Sequence, residues 1–452
     1  MFDRGNVRII PWLVPGVAGM RKDKTHNLGI HDDGSVARRK SPAFARRGTP
    51  NGFDRWLARH VLELIGSPKI EFVLWDGEPI SVSQGPLHGR ILFHNRSSLY
   101  AVARSPSMGF GDEYSRGSVE VDGDLYELLC ETFRGLVRVR NGPLQRLVGL
   151  WPSATRTRRN TLRRSKDNIE HHYDLGNDFY QMWLDERMVY TCAYYEQPGY
   201  TIEQAQLAKM HHVCRKLALQ PGQTVVEAGC GWGSLALHMA EHYGVSVRAF
   251  NISHEQISFA RERASRRGLD KRVEFVEDDY RNVDGAYDAF VSVGMLEHVG
   301  VERFRDLGGV IGRCLRVQGR GLVHTIGRTR PTANNVWMEK RIFPGSYAPS
   351  LGEMTEIFEP YDISVLDVEN LRLHYRDTCL AWLQRFNGVA ENVARMYDEL
   401  FVRAWRLYLA GAAASFAVGN LQLYQVLFSP LGNNDIPWTR RYQYEPKSSD
   451  PS

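Results

Sequence analysis

Cysteine is scarce in this sequence, and its spacing excludes the usual cysteine-based sites. There are six cysteines in 452 residues, and no two of them form a Cys-x-x-Cys pair. A chain of this length does not depend on disulfides to complete its core, so we interpret the six as reduced thiols of a cytosolic protein. We therefore expect neither a disulfide framework nor a metal site.

Long uninterrupted apolar runs are also missing. Residues 9–20 are apolar, but the run is short and contains two prolines, and Asp3 precedes it where a signal peptide would be basic. Residues 407–428 are apolar but contain three amide side chains, so we predict a buried core helix there rather than a membrane span. Hydrophobic residues make up 43% of the chain and charged residues 24%, which is typical of a globular protein with a sizeable core.

The positive charge of the chain is concentrated in two segments. Residues 1–50 contain ten Lys or Arg and four Asp, a net charge of +6 in a chain whose total is +5, so the remaining residues carry −1. A second basic run lies at 156–166. Such segments suit nucleic acid or phospholipid headgroups, and they are also typical of a solvated tail and linker. No Asn/Asp-Pro-Pro-Tyr motif and no interleaved basic and aromatic face is found, so no nucleic-acid partner is expected.

Composition and element patterns divide the chain into four parts. Residues 1–50 are rich in Arg, Gly and Pro without periodicity and predict a disordered tail. Residues 51–150 predict a small α+β domain, with helices at 53–65 and 125–137. Residues 151–168 are the basic linker, and residues 169–440 form the main domain.

Short apolar strands alternate with helices in the main domain. The predicted strands lie at 224–228, 245–250, 273–276, 288–293 and 321–326. This alternation predicts an α/β fold with a doubly wound parallel sheet. Helices are expected to follow it, at 353–358, 376–410 and 412–428.

A glycine loop follows the first of these strands. Gly229, Gly231 and Gly233 stand between that strand and a predicted helix. Glycines at this spacing let the backbone pass close to a ligand, and the helix start offers free N–H groups. Dinucleotide sites use a related turn but place an acid at the end of the next strand, where this chain has Asn251. The acidic run 277–279 follows the third strand at the same edge, where a carboxylate could accept from an adenine amine.

Further motifs carry a family resemblance. They are His172-Tyr173-Asp174-Leu175-Gly176-Asn177, Met188-Val189-Tyr190-Thr191-Cys192, Gly229-Cys230-Gly231-Trp232-Gly233, Glu297-His298-Val299-Gly300, His324-Thr325-Ile326-Gly327 and Tyr375-Arg376-Asp377-Thr378. With them the chain resembles the cyclopropane-fatty-acyl-phospholipid synthase family over roughly residues 165–430. The resemblance implies a Rossmann-like class I methyltransferase fold that binds S-adenosylmethionine (SAM), with residues 51–150 as a lipid-associated domain and helices near the C-terminus that bind substrate.

The resemblance also implies which residues form the site. Those that would contact SAM are Tyr190, Thr191, Gly229, Gly231, Gly233, Asn251, Ser253, Gln256 and Asp279. Those that would hold a bicarbonate ion, the general base of the family, are Cys192, Glu297, His324 and Tyr375. The implied substrate is an unsaturated phospholipid at a membrane surface, which places the protein in the cytoplasm against the inner leaflet, and a homodimer is the family's assembly.

The chemistry explains why such groups are needed. An alkene is a weak nucleophile, so the methyl donor must be held in line with it. Methyl transfer leaves a carbocation, and a proton must leave the new methyl group before a cyclopropane ring can close. A small anion beside the cation would stabilise it and take that proton. Aromatic residues of the C-terminal helices suit an acyl tunnel or plain helix packing: Trp382, Phe386, Trp405, Tyr408 and Phe416.

Three departures from the family pattern leave the product open. Glu227 replaces the usual Asp, Asn251 replaces the usual Thr, and Lys340-Arg341 stands where an aromatic residue is common. A methyltransferase that makes methyl- or methylene-branched acyl chains, or that acts on a soluble small molecule, is the alternative within enzymes. A non-catalytic lipid-binding protein is the alternative from a different class.

Overall fold

A computed structural model describes residues 48–140 and 175–445 of the chain. Nearly all of the predicted tail and the whole of the basic linker lie outside the described residues, as do His172, Tyr173 and Asp174. The domain boundaries predicted at 150 and 168 fall in the same undescribed stretch and stay predictions.

Within residues 48–140, the first unit is a four-stranded sheet with four helices. The helices are α1 (Gly52–Leu64), α2 (Arg96–Arg104), α3 (Pro106–Arg116) and α4 (Leu125–Arg140), and the strands are β1 (Glu71–Val73), β2 (Pro79–Ile80), β3 (Arg90–Phe93) and β4 (Val119–Asp122). The strand order is β2-β1-β3-β4, with only β1 and β3 parallel. Helix α1 starts at a capping box, in which Asn51 and Asp54 each accept the other's backbone N–H at 2.9 Å.

The sequence did not predict α3 or β4. Helix α3 is rich in small residues, which weakens its helical signal. The structure supplies the reason for one of them, because a Cβ at Gly109 would lie 2.2 Å from the backbone oxygen of Ala101 in α2. The close approach of α2 and α3 therefore requires glycine there.

The second unit is a seven-stranded sheet of order β10-β11-β9-β8-β5-β6-β7. Its strands are β5 (Thr224–Ala228), β6 (Ser246–Asn251), β7 (Val273–Glu277), β8 (Tyr287–Val293), β9 (Leu315–Gly327), β10 (Ile363–Asn370) and β11 (Gln422–Pro430). Strands β5 to β9 are mutually parallel, and β11 is antiparallel to both of its neighbours. The predicted doubly wound α/β fold is confirmed.

Helices cover both faces of this sheet and form a bundle beside it. They are α5 (Asn177–Gln181), α6 (Ile202–Leu217), α7 (Ser234–Tyr243), α8 (His254–Arg266), α9 (Phe304–Cys314), α10 (Leu351–Phe358), α11 (Arg372–Gly388), α12 (Ala390–Met396) and α13 (Glu399–Val418). A π-helical turn spans Met338–Ile342.

The predicted helix at 412–428, and with it the core helix at 407–428, is wrong. Helix α13 ends at Val418, because Gly419 adopts the left-handed conformation with φ of 83°. The chain then returns as β11, which is buried along almost its whole length between β9 and β10. Its amides have partners inside the sheet, since Gln425 contacts His324 at 3.0 Å and Gln422 contacts Asn370 at 2.8 Å.

One aspartate of the first unit makes contacts that link the two units. Asp112 in α3 accepts from the Trp337 indole at 3.1 Å and pairs with Arg341 of the π-helical turn at 2.7 Å. The glycine before it is part of the same contact, because a Cβ at Gly111 would lie 2.3 Å from the Trp337 ring. Arg341, which departs from the family pattern, is thus half of an ion pair between the units.

Candidate active site

A cavity of about 960 Å³ lies at the carboxyl ends of β5, β6 and β8 and continues into the first unit. Its polar end includes Glu227, Asn251 and Glu297, which follow or end these strands. Its apolar end includes Phe72 and Leu128 from the core of the first unit. The carboxyl edge of a doubly wound sheet is the usual place for a ligand, but the extension into a second unit was not predicted.

The glycine loop forms one wall of the polar end. All three predicted glycines have positive φ, at 83° for Gly229, 53° for Gly231 and 79° for Gly233. Nothing lies within 4 Å of a Cβ built on Gly231, which lines the cavity, whereas a Cβ on Gly233 would lie 2.5 Å from the Phe275 ring. Gly231 thus leaves room for a ligand, and Gly233 lets the loop pack on the core.

The residues predicted for the ribose and adenine are only partly brought together. Asn251 and Gln256 line the cavity and are joined at 2.7 Å from Asn251 Nδ2 to Gln256 Oε1. Ser253 lies behind them as the N-cap of α8. Asp279 does not line the cavity, and both of its carboxylate oxygens accept from Arg281, at 2.7 and 2.8 Å.

Two groups of the predicted bicarbonate cage have buried, unsatisfied polar atoms. Glu297 Oε1 accepts from the N–H of Ile326 at 2.6 Å, and Oε2 has no partner among the described residues. Nδ1 of His324 lies 3.0 Å from Gln425 Nε2, which can only donate, so the ring proton sits on Nε2. That Nε2 is also without a partner in the described part of the chain.

Burial favours the uncharged forms of Glu297 and His324. Burial raises the pKa of Glu297 to about 7, although the N–H of Ile326 works against the shift. Burial holds the pKa of His324 well below its usual range, and nearby lysines act in the same direction. The site therefore contains a neutral imidazole and a carboxyl group that is easily protonated near neutral pH.

Cys192 and Tyr375 share an apolar cluster next to these groups. Cys192 is fully buried and packs with Leu371, Leu423, Ile326 and Tyr375. His324 and Ile326 are two residues apart on β9, so their side chains leave the same face of the sheet. Of the four predicted cage residues, Glu297 and Tyr375 line the cavity, and Cys192 and His324 are buried beside residues that line it.

The aromatic residues of the C-terminal helices divide between two roles. Tyr408 and Phe416 line the cavity, and Tyr408 shares a 2.7 Å hydrogen bond with Tyr190. Trp382, Phe386 and Trp405 are fully buried in an aromatic core instead, for which helix packing is the explanation.

Two ionisable residues at the polar end of the cavity were not predicted from the sequence to act as a pair. Lys209 is 2% exposed, and its Nζ donates to Thr191 Oγ1 at 3.1 Å. Glu227 is also 2% exposed, and its Oε2 has no partner among the described residues. Burial lowers the pKa of Lys209 to about 8 and raises that of Glu227 to about 8. The sequence feature that could have pointed to this pair is the position of Lys209 on the apolar face of α6.

The chain is similar to several known methyltransferases and cyclopropane synthases. The family model described as mycolic acid cyclopropane synthetase matches residues 160–426. A probable fatty acid methyltransferase of Pseudomonas putida is 34% identical over 384 residues, which cover 82% of this chain and 95% of that protein. Cyclopropane-fatty-acyl-phospholipid synthase of Escherichia coli K12 is 40% identical over 259 residues, 57% of this chain and 66% of that enzyme. The crystal structure of mycolic acid cyclopropane synthase CmaA1 with SAH and CTAB has a TM-score of 0.55 and 28% identity, covering 58% of this chain and 97% of that one.

The sheet order, the glycine loop and these matches define a SAM-dependent methyltransferase with a class I fold. Within that class, the chain belongs to the cyclopropane synthase family whose model it matches over more than half its length.

Replacing Lys209 with methionine is expected to weaken SAM binding. The methionine end of SAM carries a carboxylate and an ammonium group, which complement Lys209 and Glu227. Loss of one hydrogen bond between charged groups removes roughly 1.5–3 kcal/mol, so KM for SAM should rise roughly 10- to 100-fold. Calorimetric titration with S-adenosylhomocysteine measures the same loss without turnover. Lys271→Met, at an exposed position, is the matched control, and equal affinities in both variants would refute this role for Lys209.

Proposed function

We propose that the protein transfers a methylene group from SAM to the cis double bond of an unsaturated acyl chain in a phospholipid, forming a cyclopropane ring, with bicarbonate as the general base. The observation that carries this proposal is the pairing of a long apolar cavity with two buried, unsatisfied polar atoms, Glu297 Oε2 and His324 Nε2. The apolar cavity fits a hydrocarbon chain, and the two polar atoms fit a small anion.

The walls of the cavity support an acyl substrate. Beyond the cofactor end they consist mainly of aliphatic and aromatic side chains from the first unit, from α13 and from the segment around Trp337. The E. coli relative is named for an acyl-phospholipid product, and the CmaA1 structure holds CTAB. An apolar cavity excludes water, which would otherwise capture a carbocation.

The residues present also fit bicarbonate. A protonated Glu297 and the Nε2–H of His324 would both donate to its oxygens, and the Tyr375 hydroxyl would add a third donor. Bound there, bicarbonate supplies a base close to the reacting carbon atoms. A buried anion raises the pKa of a neighbouring carboxyl group further, so Glu297 would remain protonated while the site is filled.

This chain's own residues then perform three tasks. The glycine loop, Lys209 and Glu227 hold SAM, which supplies an electrophilic methyl group, at the carboxyl edge of the sheet. Tyr408 and Phe416 narrow the cavity beside it and orient the acyl chain. Glu297 and His324 fix the position at which a proton leaves the new methyl group.

A membrane surface is the proposed source of the substrate. None of the helices that the structure describes is both long and apolar enough to cross a membrane. Helix α1 nevertheless exposes Phe53 (54%), Trp56 (53%) and Leu64 (60%), and Leu64 also lines the cavity. Aromatic residues exposed in this way suit the interfacial region of a bilayer.

A second candidate function is formation of a methyl-branched acyl chain. It is favoured by the P. putida relative, which matches over 95% of its length and is named as a fatty acid methyltransferase. The same carbocation gives a branch when a different proton is lost.

Mass spectrometry of acyl chains tests the proposal. Purified full-length protein is incubated with SAM, bicarbonate and vesicles of a monounsaturated phospholipid. A mass gain of one CH2 with loss of the double bond, and ring protons in the NMR spectrum, is the expected result. The same gain with a retained alkene would establish a methyl- or methylene-branched product, and a protein that binds SAM but leaves the lipid unchanged would refute a phospholipid substrate.

A further inference from the structure

A second cavity, of about 260 Å³, lies behind the glycine loop between α6, α7 and α8. Its walls include His238 and His242 of α7, Arg263 of α8, Arg267 directly after that helix, and Arg187. Among the described residues that line it, only Glu241 carries a carboxylate. The cavity therefore presents a cluster of cationic and imidazole groups that the methyl-transfer chemistry does not use.

Arg263 is a buried cation that forms no salt bridge with any of the described residues. It is 9% exposed, and its Nη1 binds the backbone oxygen of Arg187 at 3.0 Å, that of Trp232 at 3.3 Å and Ser234 Oγ at 2.9 Å. Asp185 is the acid that acts on it most, but that carboxylate accepts the backbone N–H groups of Arg187 and Val189. Burial lowers the pKa of Arg263 to about 10, which reflects the cost of an unneutralised charge.

His238 contributes an independent sign of a missing ligand. It is 3% exposed and lines the cavity, and its Nε2 has no hydrogen-bond partner among the described residues. Its ring lies edge-on to His211 at 4.4 Å and close to His242 at 4.5 Å. Burial and these neighbours hold its pKa well below the usual range, so its uncharged ring leaves a buried polar atom unsatisfied.

We propose that this cavity binds a phosphate-type anion, held by Arg263, Arg267 and His238. Arginine guanidinium groups match phosphate geometry, and an anion would neutralise Arg263 and accept from the His238 ring at once. The remaining cations are only partly neutralised, since Arg267 pairs with Glu241 at 3.2 Å and Arg187 with Glu186 at 2.5 Å. The phosphate group is either that of a free ion or that of a lipid headgroup.

The position of Arg263 couples this site to SAM. One of its contacts, Trp232, belongs to the glycine loop, and another, Arg187, directly precedes the segment that leads to Tyr190 and Thr191. An anion that neutralises Arg263 stabilises both segments in the arrangement that SAM requires. Coupling between two sites is reciprocal, so phosphate and SAM should each tighten the binding of the other.

Calorimetric titration of full-length protein with inorganic phosphate, at constant ionic strength set with chloride, tests the site. We expect saturable binding with a Kd of about 1 mM or tighter, weakened at least tenfold in Arg267→Gln and in His238→Leu. Arg266→Gln removes the same charge from the neighbouring position, which is paired with Glu262 outside the cavity, and should bind as wild type does. Non-saturable binding, or equal losses in Arg266→Gln and Arg267→Gln, would mean surface charge only and would overturn the proposal.

Two further experiments identify the ligand and test its coupling to SAM binding. The Kd for SAM should tighten severalfold with saturating phosphate in the wild type and stay constant in Arg267→Gln, and an unchanged Kd in both would overturn the coupling. Phosphate that displaces the protein from phosphatidylglycerol vesicles identifies a headgroup site, and phosphate that binds without displacement identifies a site for free anions. Neither experiment depends on methyl transfer to lipid, so failure of the proposed function would leave the result readable.

Discussion

Glu297→Ala should lower kcat by about 10²- to 10⁴-fold, the range in which one acid–base or electrostatic group acts. The variant removes the buried Oε2 atom, which has no partner in the described structure, and it also frees the N–H of Ile326. SAM affinity should change less than twofold, because Lys209, Glu227 and the glycine loop are untouched. Turnover of monounsaturated vesicles and calorimetry with S-adenosylhomocysteine measure the two quantities separately.

Glu297→Gln distinguishes how the side chain acts. Its carbonyl oxygen keeps the bond to Ile326, and its amide donates as a protonated acid does, but it does not titrate. In the wild type, deprotonation of Glu297 above pH about 7 should raise the bicarbonate concentration needed for half-maximal rate. In the glutamine variant, the bicarbonate concentration needed for half-maximal rate should not change with pH. A glutamine variant as inactive as the alanine variant would mean that the ionised carboxylate is needed, and Glu255→Ala, exposed on α8, is the control.

Gly233→Ala should both destabilise the protein and abolish SAM binding. The added Cβ would meet the Phe275 ring at 2.5 Å and Ala260 Cβ at 2.8 Å, at a φ of 79°. Overpacking and left-handed backbone strain together cost about 2–5 kcal/mol, a large share of the stability of an ordinary domain. The loop can relieve the clash only by moving away from β7, which displaces Gly231 from the cofactor space.

Thermal unfolding with and without S-adenosylhomocysteine checks this expectation. Gly268→Ala is the matched control, because it has a φ of 65° and nothing within 4 Å of the new Cβ. The control should lose only about 1–2 kcal/mol and keep its ligand-induced rise in Tm. A Gly233→Ala variant as stable as the control would show that the core around Phe275 adjusts freely.

The sequence predicted the parts of the fold that depend on local periodicity. Strands β5 to β9 and the glycine loop were found because each strand is a short apolar run between turn residues. The predicted helix at 412–428 failed for the same reason, since periodicity does not separate a buried strand from a buried helix. Only the pairing of β11 with β9 and β10 decides that case.

Parts of the site depend on contacts that no local pattern reveals. Lys209 and Glu227 lie on different elements and come within electrostatic range only when α6 packs against the folded sheet, so neither residue signals the other. Asp279 follows β7 as predicted, but no local pattern revealed that both of its carboxylate oxygens pair with Arg281, and its contact with adenine stays a prediction. The extension of the cavity into the first unit likewise depends on the relative placement of the two sheets, which no local sequence pattern reveals.

The contact at Asp112 has a consequence for how the molecule unfolds. A carboxylate held by both an indole and a guanidinium across an interface loses both partners as soon as either unit opens. Arg403 of α13 adds a second tie, because it lies 4.5 Å above the Tyr114 ring and donates to the backbone of the first unit. We therefore expect the two units to unfold in one transition, with the first unit stabilising the methyltransferase as well as forming a wall of its cavity.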